Sequence, residues 1–160
     1  MRYLKYEVAD VVNGKGLRCV IWLSGCSHNC YKCFAPHTHN PRSGVLVETR
    51  FETQLLKDLA KPFITGITIS GGDTFHKANY EDVLLLLKRI KKELPTKDVW
   101  AYTGYTLEEL QQDNLRKRLL PYIDTLCEGR YVEEEKDPTL PWTGSRNQRV
   151  INLQEVLYGD

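Results

Sequence analysis

Cys26, Cys30 and Cys33 fall within eight residues, in the stretch Cys26-Ser-His-Asn-Cys30-Tyr-Lys-Cys33, a C-x3-C-x2-C loop. Thiolates are soft ligands that select iron–sulfur clusters, zinc or copper(I). Three thiolates at these spacings can wrap one face of a cubane and hold three of its four irons, which leaves the fourth iron open to a ligand. A [4Fe–4S] cluster that only transfers electrons normally has four cysteine ligands, so the missing local fourth ligand is informative. Zinc is the alternative. His37 follows Cys33 with three residues between them, and Cys26, Cys30, Cys33 and His37 would make a Cys3His tetrahedron. Spacing alone does not separate the two metals. Chain length weighs against zinc, because a domain of this size needs no metal to fold.

The other two cysteines stand apart. Strand alternation buries Cys19 against one sheet face as a core residue. Cys127 ends a strand near the same rim as the cysteine loop and reads as a small core residue, with a redox role as the alternative. His28, His37 and His39 lie in or just after the loop and read as solvated loop histidines, the alternative being proton handling. Ser70-Gly71-Gly72-Asp73 is by itself an ordinary turn. Its functional reading is that glycine lets a ligand approach bare backbone. Exposed N–H and C=O groups would then hold an amino acid's charged head group, with Asp73 favouring the ammonium. Thr103-Gly104 is a weaker version of the same signal.

These residues need elements to position them. Residues 17–23 form a mostly apolar run fit for a buried strand. Thr49 to Glu52 has capping-box spacing before a helix with Phe51, Leu55, Leu56 and Leu59 on one face, and Pro62 marks its stop. Residues 64–70 are rich in β-branched side chains and end in a glycine turn. Residues 79–94 make the best helix, acidic early at Glu81 and Asp82, basic late at Lys91 and Lys92. A short strand follows at 98–102. A second capping box, Thr106 to Glu109, opens a helix running to about residue 119. Strands are expected at 123–127 and 149–153. Strands alternating with helices indicate βαβ units. The fold class is therefore α/β, with an incomplete (β/α) barrel and a mostly parallel sheet, because the chain is too short for eight units. Right-handed crossovers gather the loops after successive strands on one rim. The cysteine loop, the Gly71-Gly72-Asp73 turn and Thr103-Gly104 all fall there.

A chain of 160 residues is expected to form one domain over 1–160. Its 22 basic and 21 acidic side chains leave a net charge of +1, which excludes a general nucleic-acid binder, whose footprint is strongly basic. No apolar run approaches the roughly 18 residues of a membrane span. The N-terminus carries Glu7 and Asp10 and lacks a cleavable signal's pattern. A cytoplasmic setting without membrane or nucleic-acid partners is expected. Residues 133–137 read as a solvated acidic loop. Arg130, Arg146 and Arg149, near Tyr131 and Trp142, either face a partner protein or cap the sheet's open side. The Gly-, Ser- and Asn-rich composition of 144–149 is that of an exposed loop.

A C-x3-C-x2-C loop after one strand with a Gly-Gly-acid turn after the next resembles the radical S-adenosylmethionine enzymes, and within them the activases of glycyl-radical enzymes. The stretch Trp22-Leu23-Ser24-Gly25-Cys26, the Gly71-Gly72-Asp73 turn and the segment Gly144-Ser-Arg-Asn-Gln-Arg149 carry the likeness, which covers nearly the whole chain. The resemblance implies that Cys26, Cys30 and Cys33 hold a [4Fe–4S] cluster with one open iron. It implies that Gly71, Gly72 and Asp73 meet the methionine end of S-adenosylmethionine, with Thr103 on the same rim. Residues flanking the last cysteine, Lys32 and Phe34, would border the adenine. Lys32 departs from the family's usual aromatic, and Asp73 from its commoner Glu. The implied reaction is reductive cleavage of S-adenosylmethionine and hydrogen abstraction from a partner glycine. The implied partners are the large glycyl-radical subunit of anaerobic ribonucleotide reductase and an electron donor such as a flavodoxin.

Overall fold

Seven strands form one mixed sheet in the order β3-β1-β2-β4-β5-β6-β7 in a computed structural model that describes residues 1–159. The central strands are β2 (Arg18–Leu23), β4 (Gly66–Gly71), β5 (Asp98–Tyr102) and β6 (Thr125–Glu128), and their pairings are parallel. Three outer strands, β1 (Arg2–Asp10), β3 (Val45–Leu46) and β7 (Arg149–Asn152), pair antiparallel. The α/β class is as expected, and the sheet is parallel only at its centre.

Alternation along the central strands gives the sheet two unlike faces. Cys19, Ile21 and Leu23 of β2, Ile67 and Ile69 of β4, and Val99 and Ala101 of β5 face the main hydrophobic core. Helices α1 (Thr49–Leu59) and α2 (Tyr80–Glu93) add Leu55, Leu59, Val83, Leu87 and Ile90 to that core. The opposite face is polar and aromatic. Arg18 lies there fully buried, with Nε donating to Thr68 Oγ1 at 2.8 Å and a terminal nitrogen 2.8 Å from Asp98. Its guanidinium stands over the Trp100 ring at 5.4 Å. Arg18 opens β2, at the end of the strand opposite the rim where the loops meet.

Two helix starts differ in how they are capped. The Thr106 box is formed in both directions at α3 (Leu107–Gln112). The Thr49 box is not: Glu48 precedes α1 without any side-chain cap. Nor does the helix after Thr106 reach residue 119. It ends at Gln112, and a separate 3-10 turn, Arg116–Tyr122, follows, because Asp113 Oδ1 accepts the N–H groups of Leu115 and Arg116 and restarts the chain there. The last helix, α4 (Leu153–Tyr158), follows β7. Among the described residues, no helix is long and apolar enough to cross a membrane.

Candidate functional site

Parallel register places the loops that could do chemistry side by side. Leu23 pairs with Gly71, so the chain leaving β2 and the chain leaving β4 turn away together. The N–H of Gly72 then bonds the Leu23 carbonyl at 2.9 Å, and that of Asp73 the Gly25 carbonyl at 2.7 Å. Buried Asn79 stitches the same two loops, its Nδ2 donating to the carbonyls of Ser24 at 2.8 Å and Asp73 at 3.0 Å. Its Oδ1 accepts no hydrogen bond, so α2 starts without a side-chain cap.

The cysteine loop is tightly curled. Asn29 and Lys32, each directly before a cysteine, have φ of 52° and 55°. This left-handed region is costly for side chains other than glycine. All five cysteines are free, and Cys26, Cys30 and Cys33 are partly exposed to one cavity of about 120 Å³. The Ala35 N–H lies 3.4 Å from Cys33 Sγ, a donor placed for a thiolate. Burial pushes the Cys26 thiol up to about 11, and a hydrogen bond from the His28 backbone works against that rise. The sulfurs suit a cluster better than one ion. Among the described residues, the one set of three His, Cys, Asp or Glu ligand atoms within 4.8 Å of one another is that of Cys26, His28 and Asp73. A zinc ion at about 2.3 Å from three thiolates would hold them only about 3.8 Å apart.

The zinc alternative with His37 is thereby corrected. His37 sits exposed in the 3-10 turn Pro36–Thr38 and lines a different cavity, on the polar and aromatic face of the sheet, with Trp22 and Trp142. Proline at 36 starts that turn and carries the histidine away from the sulfurs.

Gly71, Gly72 and Thr103 line the cysteine cavity, as does Ser70. Asp73 is buried, and its carboxylate is already engaged. Oδ1 accepts from Thr103 Oγ1 and the Phe75 N–H, each at 2.8 Å; Oδ2 accepts from the Gly104 N–H at 3.0 Å and lies 2.5 Å from His28 Nε2. Phe34 is exposed and borders three cavities, that of the cysteines among them, whereas Lys32 borders only an outer cleft with Tyr131 and Asp137.

Two site residues, His28 and Gln148, escaped sequence reasoning, whereas Cys127 is the small buried residue expected near the rim. His28 is not a solvated loop histidine: its side chain is 5% exposed, edge-on to Tyr105 with ring centroids 4.5 Å apart. Its place midway between two cysteines was the available signal. Cys127 lines the cysteine cavity, and burial pushes its thiol up to about 12. Cys19 is a core residue as expected, near the Tyr6 hydroxyl.

The segment 144–149 is exposed at Arg146, Asn147 and Arg149, as expected, but is pinned through Ser145 and Gln148. Ser145 is fully buried, and Gln148 Oε1 accepts the N–H groups of Gly144 and Ser145 while Nε2 donates to the Gly129 carbonyl. Gln148 thus closes one wall of the cavity. Arg149 bonds Glu128 and Glu108, and Arg130 bonds Glu109 in bidentate fashion, so both are held by the sheet's own margin. Arg146 is exposed.

The family model described as a 4Fe-4S single cluster domain matches residues 12–151. Curated relatives named anaerobic ribonucleoside-triphosphate reductase-activating protein align over nearly their whole length. Those of Vibrio cholerae and Haemophilus influenzae are 45% and 43% identical over 152 residues, 94% of this chain and 97% of each relative. That of Escherichia coli K12 is 40% identical over 156 residues, 96% of this chain and 100% of the relative. The chain belongs to the family of anaerobic ribonucleoside-triphosphate reductase-activating proteins. The family match spans both the cysteine loop and the glycine turn, and the three cysteines with their shared cavity suit the iron–sulfur cluster that its description names.

Proposed function

We infer that this chain activates an anaerobic ribonucleotide reductase by radical S-adenosylmethionine chemistry. The observation that carries the reading is the single cavity shared by Cys26, Cys30, Cys33 and the Gly71-Gly72 backbone. Cys26, Cys30 and Cys33 hold the [4Fe–4S] cluster and leave one iron for the substrate. When bound, the cluster supplies the electron that breaks the S–C5′ bond of S-adenosylmethionine, and the 5′-deoxyadenosyl radical so formed takes a hydrogen atom from a reductase glycine.

The protein's own work is binding, orientation and exclusion of water. The bare backbone of Gly71 and Gly72 receives the amino-acid end of S-adenosylmethionine. Asp73 is fixed by Thr103 and the Gly104 N–H, and its Oδ2 meets the ammonium once His28 swings aside. Phe34, exposed at the cavity mouth, covers the adenine, and Lys32 borders it from the outer cleft. We read the two-faced sheet, within a single domain, as an incomplete barrel. Its polar and aromatic face holds a cavity of about 530 Å³, lined by Trp22, Tyr102 and Trp142, that adjoins the cysteine cavity along Ser70 and Gly71. A backbone glycine of the partner's large subunit enters there. A cytoplasmic flavodoxin-type protein supplies the electron.

Anaerobic reconstitution with iron and sulfide, followed by metal analysis and electron paramagnetic resonance with the reductase, tests this reading. Roughly four irons per chain, methionine and 5′-deoxyadenosine as products, and a glycyl radical on the reductase are expected. A metal-free chain that takes up no iron and sulfide, or cleavage without a radical on the reductase, overturns it.

A further inference from the structure

The ligand atoms of Cys26, His28 and Asp73 lie within 4.8 Å of one another, although the three residues come from two loops. One thiol, one imidazole and one carboxylate are a donor set suited to zinc or ferrous iron, and unsuited to magnesium or calcium, which take oxygen ligands. The set is also built. The His28 and Asp73 side chains are 5% and 1% exposed. Thr103 Oγ1 and the Gly104 N–H hold the carboxylate from behind, the outer support that orients a metal ligand. The imidazole is held edge-on by Tyr105, and a Cβ on Gly104 would come 2.4 Å from its Cδ2.

We propose that Cys26, His28 and Asp73 form a site for one divalent cation of the zinc class, available while the cluster is absent. Bonds of about 2.0–2.1 Å from nitrogen and oxygen place two tetrahedral donors about 3.3 Å apart. The His28–Asp73 pair, at 2.5 Å, therefore opens by roughly 0.8 Å as the ion replaces the proton between them. The fourth position faces the cavity and takes water. Cluster and ion are mutually exclusive, since both need Cys26. That exclusion rests on the function proposed above; the ion site does not. The site makes the cluster-free chain a zinc-holding form that must release its ion before iron and sulfide can load.

Cobalt(II) titration of the metal-free chain tests the ion site by itself. One equivalent should give tetrahedral visible bands with the charge-transfer intensity of a single thiolate, and zinc should bleach them. Loss of an outer-shell partner alone costs about 10–100-fold in affinity, so His28→Gln and Asp73→Asn should each weaken binding by at least about tenfold. The double variant Cys30→Ala/Cys33→Ala should bind as the parent does. His28→Cys should still bind and add a second thiolate's intensity, which separates loss of a ligand from loss of the fold. A three-thiolate spectrum that vanishes in the double variant and survives His28→Gln overturns the site. In a second arm, zinc-loaded parent should take up iron and sulfide only after a chelator is added, whereas zinc-treated His28→Gln should load without one. Equal loading of parent with and without zinc overturns the exclusion while leaving the cobalt result to stand on its own.

Discussion

A side chain on Gly72 would put its Cβ 2.4 Å from the carbonyl oxygen of Gly25 and 2.9 Å from that of Thr38. The glycine turn thus leans on the backbone that opens the cysteine loop, and Gly25 is itself bonded to Thr38, its N–H 2.6 Å from that carbonyl. Glycine at 72 serves the packing of two loops as well as the approach of a ligand. Gly72→Ala should lower stability by about 1–3 kcal/mol, the usual cost of forced overpacking, and speed loss of iron from reconstituted protein. Thermal melts and iron-release kinetics report the two effects. A variant that keeps its iron and loses only S-adenosylmethionine affinity would assign the glycine to the ligand alone.

Arg149 is a stability residue. Its side chain is 48% exposed, but the Glu128 it bonds is 1% exposed. Glu128 also accepts the Leu107 N–H at 2.6 Å, which fixes the start of α3. Arg149→Ala strands that carboxylate and should cost about 1–3 kcal/mol, by urea denaturation. Arg146→Glu should cost under about 0.5 kcal/mol, so it is the cleaner variant for testing reductase docking.

Lys32 is held at positive φ directly before Cys33. Lys32→Gly removes that backbone cost and should stabilise the metal-free chain by about 0.5–1 kcal/mol, after the entropy glycine adds to the unfolded state is discounted. The iron content after reconstitution should match the parent's. A drop in urea midpoint would show that Lys32 contributes through its side chain.

Glu109 gives the chain an acid-sensitive clamp. Hydrogen bonds from Arg130, then from the Thr106 backbone, lower its carboxyl from 4.5 to about 2. A folded-state value below the unfolded one means the contribution is complete above about pH 4.5 and fades as pH falls toward 2. Both partners are 42% exposed, so screening limits the effect to about 1 kcal/mol or less. Glu109→Gln retains a capping-box acceptor and deletes the charge. Its deficit in urea midpoint should be present at pH 7 and shrink as the pH is lowered through 4 toward 3.

Thiol labelling of the metal-free chain should follow burial. Cys30 and Cys33, partly exposed, should react first with iodoacetamide at pH 8, Cys26 more slowly, and Cys19 and Cys127 last. Burial raises the pKa of each of these last three thiols. Timed digestion and mass spectrometry would rank them. Early labelling of Cys127 would mean that the cavity wall it shares with Cys26, Cys30 and Cys33 opens.

The central strands were legible because β-branched runs ending in glycine turns are a local signal, and they carried the rim with them. The outer strand β1 was not, because Lys5, Glu7 and Asp10 interrupt its apolar residues and most of it is only half-buried. The barrier to reading His28 was distance. Its partner Asp73 lies 45 residues away, and only the pairing of β2 with β4 brings the two loops together. Gln148 was missed for the same reason: its bond to Gly129 depends on the antiparallel pairing of β6 with β7.

The margins of the sheet bear on what can be templated there. One edge ends in the two-residue strand β3, which covers only Arg2 and Tyr3 of β1. Beyond that cover β1 is broken by register shifts between Tyr3 and Lys5 and between Glu7 and Asp10, with charges along the same stretch. The other edge is the four-residue β7. Short, kinked and charged borders resist the addition of a further strand. An incoming peptide therefore gains little by zipping onto either margin, and concentrated protein lacks the long flat border from which fibrils seed.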